Sequence, residues 1–140
     1  MSTLLEYTLT ARRVDSSGSI ASAKSAEVVL DTGLAGRTDA LNPAELLLAS
    51  LAACMIKGAE RVSPMLNFQL RNMSVRLHAV RVNAPPSIKT INYEIIVESD
   101  EPDRRLELLH TNIRKFGTIS NTLASVVQLA GSIRRSDTSA

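Results

Sequence analysis

The stretch that most constrains this chain is Asn42 to Gly58, Asn-Pro-Ala-Glu-Leu-Leu-Leu-Ala-Ser-Leu-Ala-Ala-Cys-Met-Ile-Lys-Gly. It opens as a helix should. Asn42 suits the N-cap, Pro43 the first helical position, and Glu45 can bond back to the cap residue in a capping box. From Leu46 to Ile56 every face is apolar or small. A helix apolar all round is normally buried on all sides. The expectation is a central helix covered by a sheet and by a second body, with a partner subunit as the candidate. Ser63-Pro64 is expected to end it. The run from Ala44 to Ile56 carries Glu45 and is too short to cross a bilayer, which takes about 20 residues, so no membrane partner is expected.

The rest of the chain is organised around that helix. Leu5, Tyr7, Leu9 and Ala11 alternate with polar residues, the period-two pattern of a half-buried strand. Asp15-Ser16-Ser17-Gly18 reads as a turn, and a second strand near Lys24 to Leu30 completes an N-terminal hairpin. Residues 31–41 read as a loop. After the helix, Phe68 to Val82 and Lys89 to Glu98 read as two long strands, with a bulge expected near Arg71-Asn72 where the apolar parity changes. Leu106, Leu109, Ile113 and Phe116 follow helical spacing, with Gly117 as the stop. A third helix is expected from Ser120 to Ala130, then a short strand at Ile133. The order β-β-α-β-β-α-α-β, with strands in antiparallel-looking pairs, makes this an α+β fold in one domain over residues 1–140.

Composition narrows the function. Sixteen Lys and Arg stand against 14 Asp and Glu, and aromatics are only 3%. Near-balanced charge and scarce stacking surface argue against nucleic acid as a partner. One cysteine, Cys54, excludes an intrachain disulfide framework. The segment from Met1 to Glu6 has no basic and apolar signal pattern, so a cytoplasmic location is expected.

Two readings stand for Cys54. It is a small buried hydrophobe on a core helix, or a reactive thiol whose thiolate is stabilised by a cation or donor. The helix N-terminus lies about three turns away, too far for its dipole to act. Glu45 is either the capping-box acid or a group that touches a thiol. Nine residues separate it from Cys54, about 13 Å along the axis and on roughly opposite faces. A Glu45 that reaches a thiol must therefore reach a partner subunit's Cys54. For a cation the candidates are Arg37 in the loop before the helix, and Arg12 or Arg13 near the first strand; each is otherwise a solvated charge.

The run from Asn42 to Leu48 with Leu51-Ala52-Ala53-Cys54 resembles the cysteine-bearing helix of the OsmC/Ohr family, the osmotically inducible and organic hydroperoxide resistance proteins. Lys115-Phe116-Gly117-Thr118-Ile119-Ser120-Asn121-Thr122-Leu123 resembles that family's second-cysteine segment, and the element order agrees from Tyr7 to Arg135. The resemblance implies an intertwined homodimer, its central helices wrapped by antiparallel sheets. It also implies a thiol peroxidase that reduces small organic hydroperoxides, with Cys54 at the attacking position. An Arg and a Glu would activate the thiolate; no arginine here aligns with the family's, so Arg37, Arg12 and Arg13 stay open, and the expected catalytic set is Cys54, Glu45 and, of the three arginines, Arg37. The chain departs from the pattern twice: Gly117 stands where the second cysteine would be, and Ala44 directly follows the Asn-Pro pair, with Glu45 one position late.

With one cysteine, the implied cycle forms a sulfenic acid at Cys54 that an external thiol or dithiol must reduce. Leu47, Leu48, Leu51 and Met55 are the expected apolar walls. The alternatives are a non-catalytic relative that binds a small apolar ligand at the dimer interface, and a redox sensor based on Cys54. No cofactor and no metal are expected. His78 and His110 share no ligand spacing, and Gly33, Gly36 and Gly58 match no nucleotide-binding pattern. Asp103-Arg104-Arg105 and Arg114-Lys115 read as solvated helix charges, and Thr118 and Ser120 as N-cap residues.

Overall fold

The computed structural model describes residues 4–137. The chain divides between Leu47 and Leu48 into two compact units.

The first unit is a three-stranded antiparallel meander, β1 (Thr10–Asp15), β2 (Gly18–Ala23) and β3 (Ala26–Asp31), in the order β1-β2-β3. The expected hairpin thus gains a strand. β2 reads Gly-Ser-Ile-Ala-Ser-Ala, whose small residues give no apolar alternation to detect. The turn at Asp15 forms as expected, with Asp15 Oδ1 accepting from the Ser17 amide at 2.8 Å and its hydroxyl at 2.7 Å. Leu5, Tyr7 and Leu9 precede β1 rather than forming it, and are exposed. Their alternation marks a face that this chain itself leaves uncovered.

Helix α1 (Pro43–Leu66) follows. The capping box is closed in both directions: the Glu45 amide donates to Asn42 Oδ1 at 2.8 Å, and the Asn42 amide to Glu45 Oε1 at 2.9 Å. The helix does not stop at Ser63-Pro64. Pro64 removes one bond in the last turns, and the stop comes at Asn67, whose φ of 52° is left-handed. The Phe68 amide then bonds the Ser63 carbonyl, and the Asn67 amide the Pro64 carbonyl, the paired reverse bonds that terminate many helices.

In the second unit β4 (Asn72–Asn83) pairs antiparallel with β5 (Pro86–Glu98), and β6 (Gln128–Arg135) lies parallel to β5 on its other side. This sheet is therefore mixed rather than antiparallel. The return to β6 passes through two helices, the kind of crossover that a parallel pair requires. The register shifts at Val80/Arg81, not at Arg71-Asn72. The parity change near Asn72 reflects Leu70 lying before the strand begins.

Helix α2 (Asp103–Phe116) meets α3 (Thr118–Ala124) across the single residue Gly117, at φ −84° and ψ 113°. Gly117 ends α2 in an extended conformation, and α3 starts two residues earlier and ends six residues earlier than expected. Thr118 and Ser120 lie inside α3 and are not its cap. The observed order is β-β-β-α-β-β-α-α-β, still α+β.

The core lies in the second unit. Leu51, Met55, Ala59 and Val62 form one stripe of α1 and cluster with Ile91, Tyr93, Ile95 and Val97 of β5, with Leu106, Leu109 and Ile113 of α2, and with Ile133 of β6. Each large aliphatic member contributes about 2 kcal/mol by burial. Within the chain this stripe of α1 and Ser63 beside it are buried, whereas Ala53 and Ile56 are exposed and Cys54 is half-buried. The covering of the remaining faces, expected from a second body, is not supplied by the chain itself.

Candidate functional site

Cys54 lies on α1 off the buried stripe, with Gly117 at the α2–α3 corner close to its sulfur. A Cβ built on Gly117 would stand 3.5 Å from Cys54 Sγ and 3.0 Å from the Ile113 carbonyl oxygen, and would overlap the Ser120 hydroxyl. Ser120 is 1% exposed, and its hydroxyl donates to the Gly117 carbonyl at 3.1 Å. So the residue next to the thiol is the one that the sequence pairs with a family's second cysteine, and Ser120 fills the space its side chain would take. Ser120 was read as a cap; its burial beside the thiol had no sequence signal. Leu51 and Met55 face the core at 0% and 1% exposure. They cannot wall a ligand site, which leaves Leu47 and Leu48 of the four expected.

Glu45 and Arg37 lie in the first unit and line one cleft. Its volume is about 710 Å³, and Val28, Val29 and Leu41 supply its apolar wall. Arg37 is held tightly by Asp39, Nε to Oδ1 at 2.6 Å and Nη2 to Oδ2 at 2.9 Å, the two-pronged pairing that suits a planar guanidinium. These hydrogen bonds, and then the charge of Asp39, raise the Arg37 pKa, with Asp15 and Asp31 adding smaller attractions. The same pairing lowers the Asp39 carboxyl below its ordinary range. The Arg37 amide also donates to Asp31 Oδ2 at 3.2 Å, and Gly36 turns the loop at φ 77°. Nη1 lies over Gly18, where any side chain would collide with it. Arg12 and Arg13 lie on the fully exposed β1. His78 is exposed on β4. Among the described residues no three His, Cys, Asp or Glu side chains gather as a metal site would require.

Residues 36–130 match the sequence pattern of OsmC-like proteins. The chain belongs to the OsmC-like family. Its fold is similar to that of an OsmC-like protein from Mycoplasma pneumoniae, with a TM-score of 0.82 over 94% of this chain and 96% of that one at 20% identity. An organic hydroperoxide resistance protein OsmC from Legionella pneumophila gives 0.74, over 94% and 98%, at 17% identity. The organic hydroperoxide resistance protein OhrB of Bacillus subtilis gives 0.67, over 94% and 100%, at 17% identity. No curated protein matches the chain in sequence. At these identities the likeness establishes the OsmC-like fold, and chemistry has to be argued from this chain's own residues. No helix among the described residues is long and apolar enough to cross a membrane.

Proposed function

We propose that the protein is a thiol-dependent peroxidase that reduces small organic hydroperoxides at Cys54. The observation that supports this reading is the position of Gly117 against Cys54 Sγ, because these are the two positions that the resemblance matches to the cysteines of the OsmC/Ohr pattern. In the proposed cycle the Cys54 thiolate attacks the terminal peroxide oxygen and the O–O bond breaks. The alcohol leaves with a proton, and Cys54 becomes a sulfenic acid. An external thiol displaces water to form a mixed disulfide. A second thiol releases the oxidised reductant as a disulfide and returns Cys54 to the thiol. Such a cycle needs a compartment rich in reduced thiols, which points to the cytoplasm.

The same reading makes the protein a homodimer and residues 1–140 one domain completed by its partner. Val14, Val28, Val29, Leu34 and Leu41 of the first unit are exposed, as is Ile56 of α1. A three-stranded meander with so little covered apolar surface calls for a second body. Arg37 and Glu45 of one protomer would then act on the partner's Cys54, with Arg37 Nη1 as the arm that Asp39 leaves for the thiolate. Light scattering in solution should give twice the chain mass of 15.1 kDa; a monomer at assay concentration would remove Arg37 and Glu45 from the mechanism.

The direct test is consumption of an alkyl hydroperoxide in the presence of a dithiol. Wild type should turn over, and Cys54→Ser should fall to the uncatalysed rate. Equal consumption by both would end the enzymatic reading. The apolar side of the Arg37–Glu45 cleft favours a second reading, the binding of a small apolar ligand without turnover. Saturable binding of a fluorescent apolar probe, unchanged in Cys54→Ser and displaced from Val28→Glu, would support that reading.

A further inference from the structure

Four residues outside the candidate site form one connected polar array in the second unit, running from buried Tyr93 through half-buried His110 and Arg114 to exposed Glu107. Tyr93 on β5 is 4% exposed. Its hydroxyl accepts from Arg114 Nη1 at 2.9 Å and lies 2.6 Å from His110 Nε2. The His110 and Tyr93 rings meet edge to face, with centroids 5.5 Å apart, and the Arg114 guanidinium lies 5.8 Å from the Tyr93 ring centroid. On its outer side, His110 Nδ1 is 3.8 Å from Glu107 Oε2.

One protonation pattern satisfies every donor in the array. A tyrosine hydroxyl has one proton to give. With Arg114 donating to that oxygen, the pattern that gives the hydroxyl proton an acceptor directs it to His110 Nε2, with the histidine neutral and its own proton on Nδ1, toward Glu107. Protonation of Nε2 would turn the 2.6 Å bond round. Two cationic donors would then share one oxygen, and the buried hydroxyl proton would lose its acceptor. An unsatisfied buried donor is destabilising.

The other neighbours offer no relief. α3 carries no charged residue. On β6, Arg134 is engaged by Glu94, and Arg135 by Asp103 at the start of α2. β6 presents Gly131 to the Tyr93 ring, and α1 presents Gly58 to Ile113. Glu107 and Arg114 are the charges that act on His110. Burial is the largest influence on it and lowers its pKa; Arg114 lowers it further, against the opposing pull of Glu107.

We propose that the Glu107–His110–Tyr93–Arg114 array is a pH-sensitive latch that fastens α2 to β5 and, on acidification, releases the α2–α3 corner that lies against Cys54. The sign follows from linkage. A histidine with a folded pKa below its unfolded value binds fewer protons folded than unfolded between those two values. The stabilisation is complete above about pH 6.5 and is lost as pH falls toward the depressed folded value. Arg114 and Gly117 lie within one turn of each other, so loosening the end of α2 moves the residue next to the thiol. None of this depends on whether Cys54 reacts with peroxides.

The test is amide hydrogen exchange at about pH 7.5 and about pH 5, corrected for intrinsic rates. In wild type, protection over residues 109–120 should fall about threefold or more at the lower pH while β4 stays unchanged. His110→Gln keeps a neutral acceptor for the hydroxyl and should show no such fall. A disulfide reagent active in acid, such as dithiodipyridine, should likewise label Cys54 faster at the lower pH in wild type and not in His110→Gln. Equal pH responses in the two proteins, or none in wild type, would overturn the latch. Should His110→Gln fail to fold, an NMR titration of the wild-type His110 ring decides the matter: a midpoint at or above about pH 6.5 overturns the proposal.

Discussion

Replacing Gly117 by Cys, with Ser120→Ala to clear the hydroxyl, should close a disulfide with Cys54 after one equivalent of an organic hydroperoxide. The backbone at 117 has φ −84° and ψ 113°, open to any residue. Its Cβ would stand 3.5 Å from Cys54 Sγ, and a disulfide places that pair about 3 Å apart, so a shift of about half an ångström suffices. The Ile113 carbonyl, at 3.0 Å from the new Cβ, must yield slightly. The bridge would close a loop of more than 60 residues, which in the chain-entropy account stabilises by about 4 kcal/mol. The readouts are a mass loss of two hydrogens, no titratable thiol, and a raised melting temperature that a reductant reverses. Two free thiols after peroxide treatment would show that the 54–117 contact does not serve redox chemistry.

Gly131→Ala should destabilise the protein by about 3 kcal/mol, at the upper end for overpacking a core. Gly131 pairs with Tyr93 across β5 and β6, and a Cβ there would overlap three atoms of the Tyr93 ring. The ring cannot swing away cheaply, because its hydroxyl is held by His110 and Arg114 at once. Relief would break that array or part β6 from β5. Urea unfolding measures the effect through its midpoint; a midpoint unchanged from wild type would mean that the ring has an alternative seat.

Much of the architecture could be read from local patterns, because local chemistry sets it. The cap at Asn42 and Glu45, the turn at Asp15 and the amphipathic α2 each depend on residues within a few positions of one another. Expectations failed where distant contacts decide. β2 has no apolar alternation and is a strand only because β1 and β3 flank it. β6 was partly assigned to α3 because Ala130 and Gly131 carry no strand propensity; Gly131 is there to seat the Tyr93 ring. The stop of α1 moved to Asn67 because two reverse hydrogen bonds close there.

The candidate site divides in the same way. Cys54, Glu45 and Arg37 were singled out from the sequence, and so was the missing cysteine at Gly117. In the sequence Ser120 has the character of a cap, and His110 shares no ligand spacing with His78. Their surroundings come from residues far apart in the chain, 93 with 110 and 54 with 117, so no local pattern could announce them. What the sequence by itself determined is the helix that bears the thiol, the α+β class and the lone cysteine as the candidate reacting group. Only the tertiary structure decided that Gly117 lies against that thiol, and that the Tyr93 hydroxyl meets both His110 and Arg114. Short-range hydrogen bonds and periodicity are written along the chain, whereas a side chain's charge state and its neighbours depend on burial that exists only once distant segments have packed.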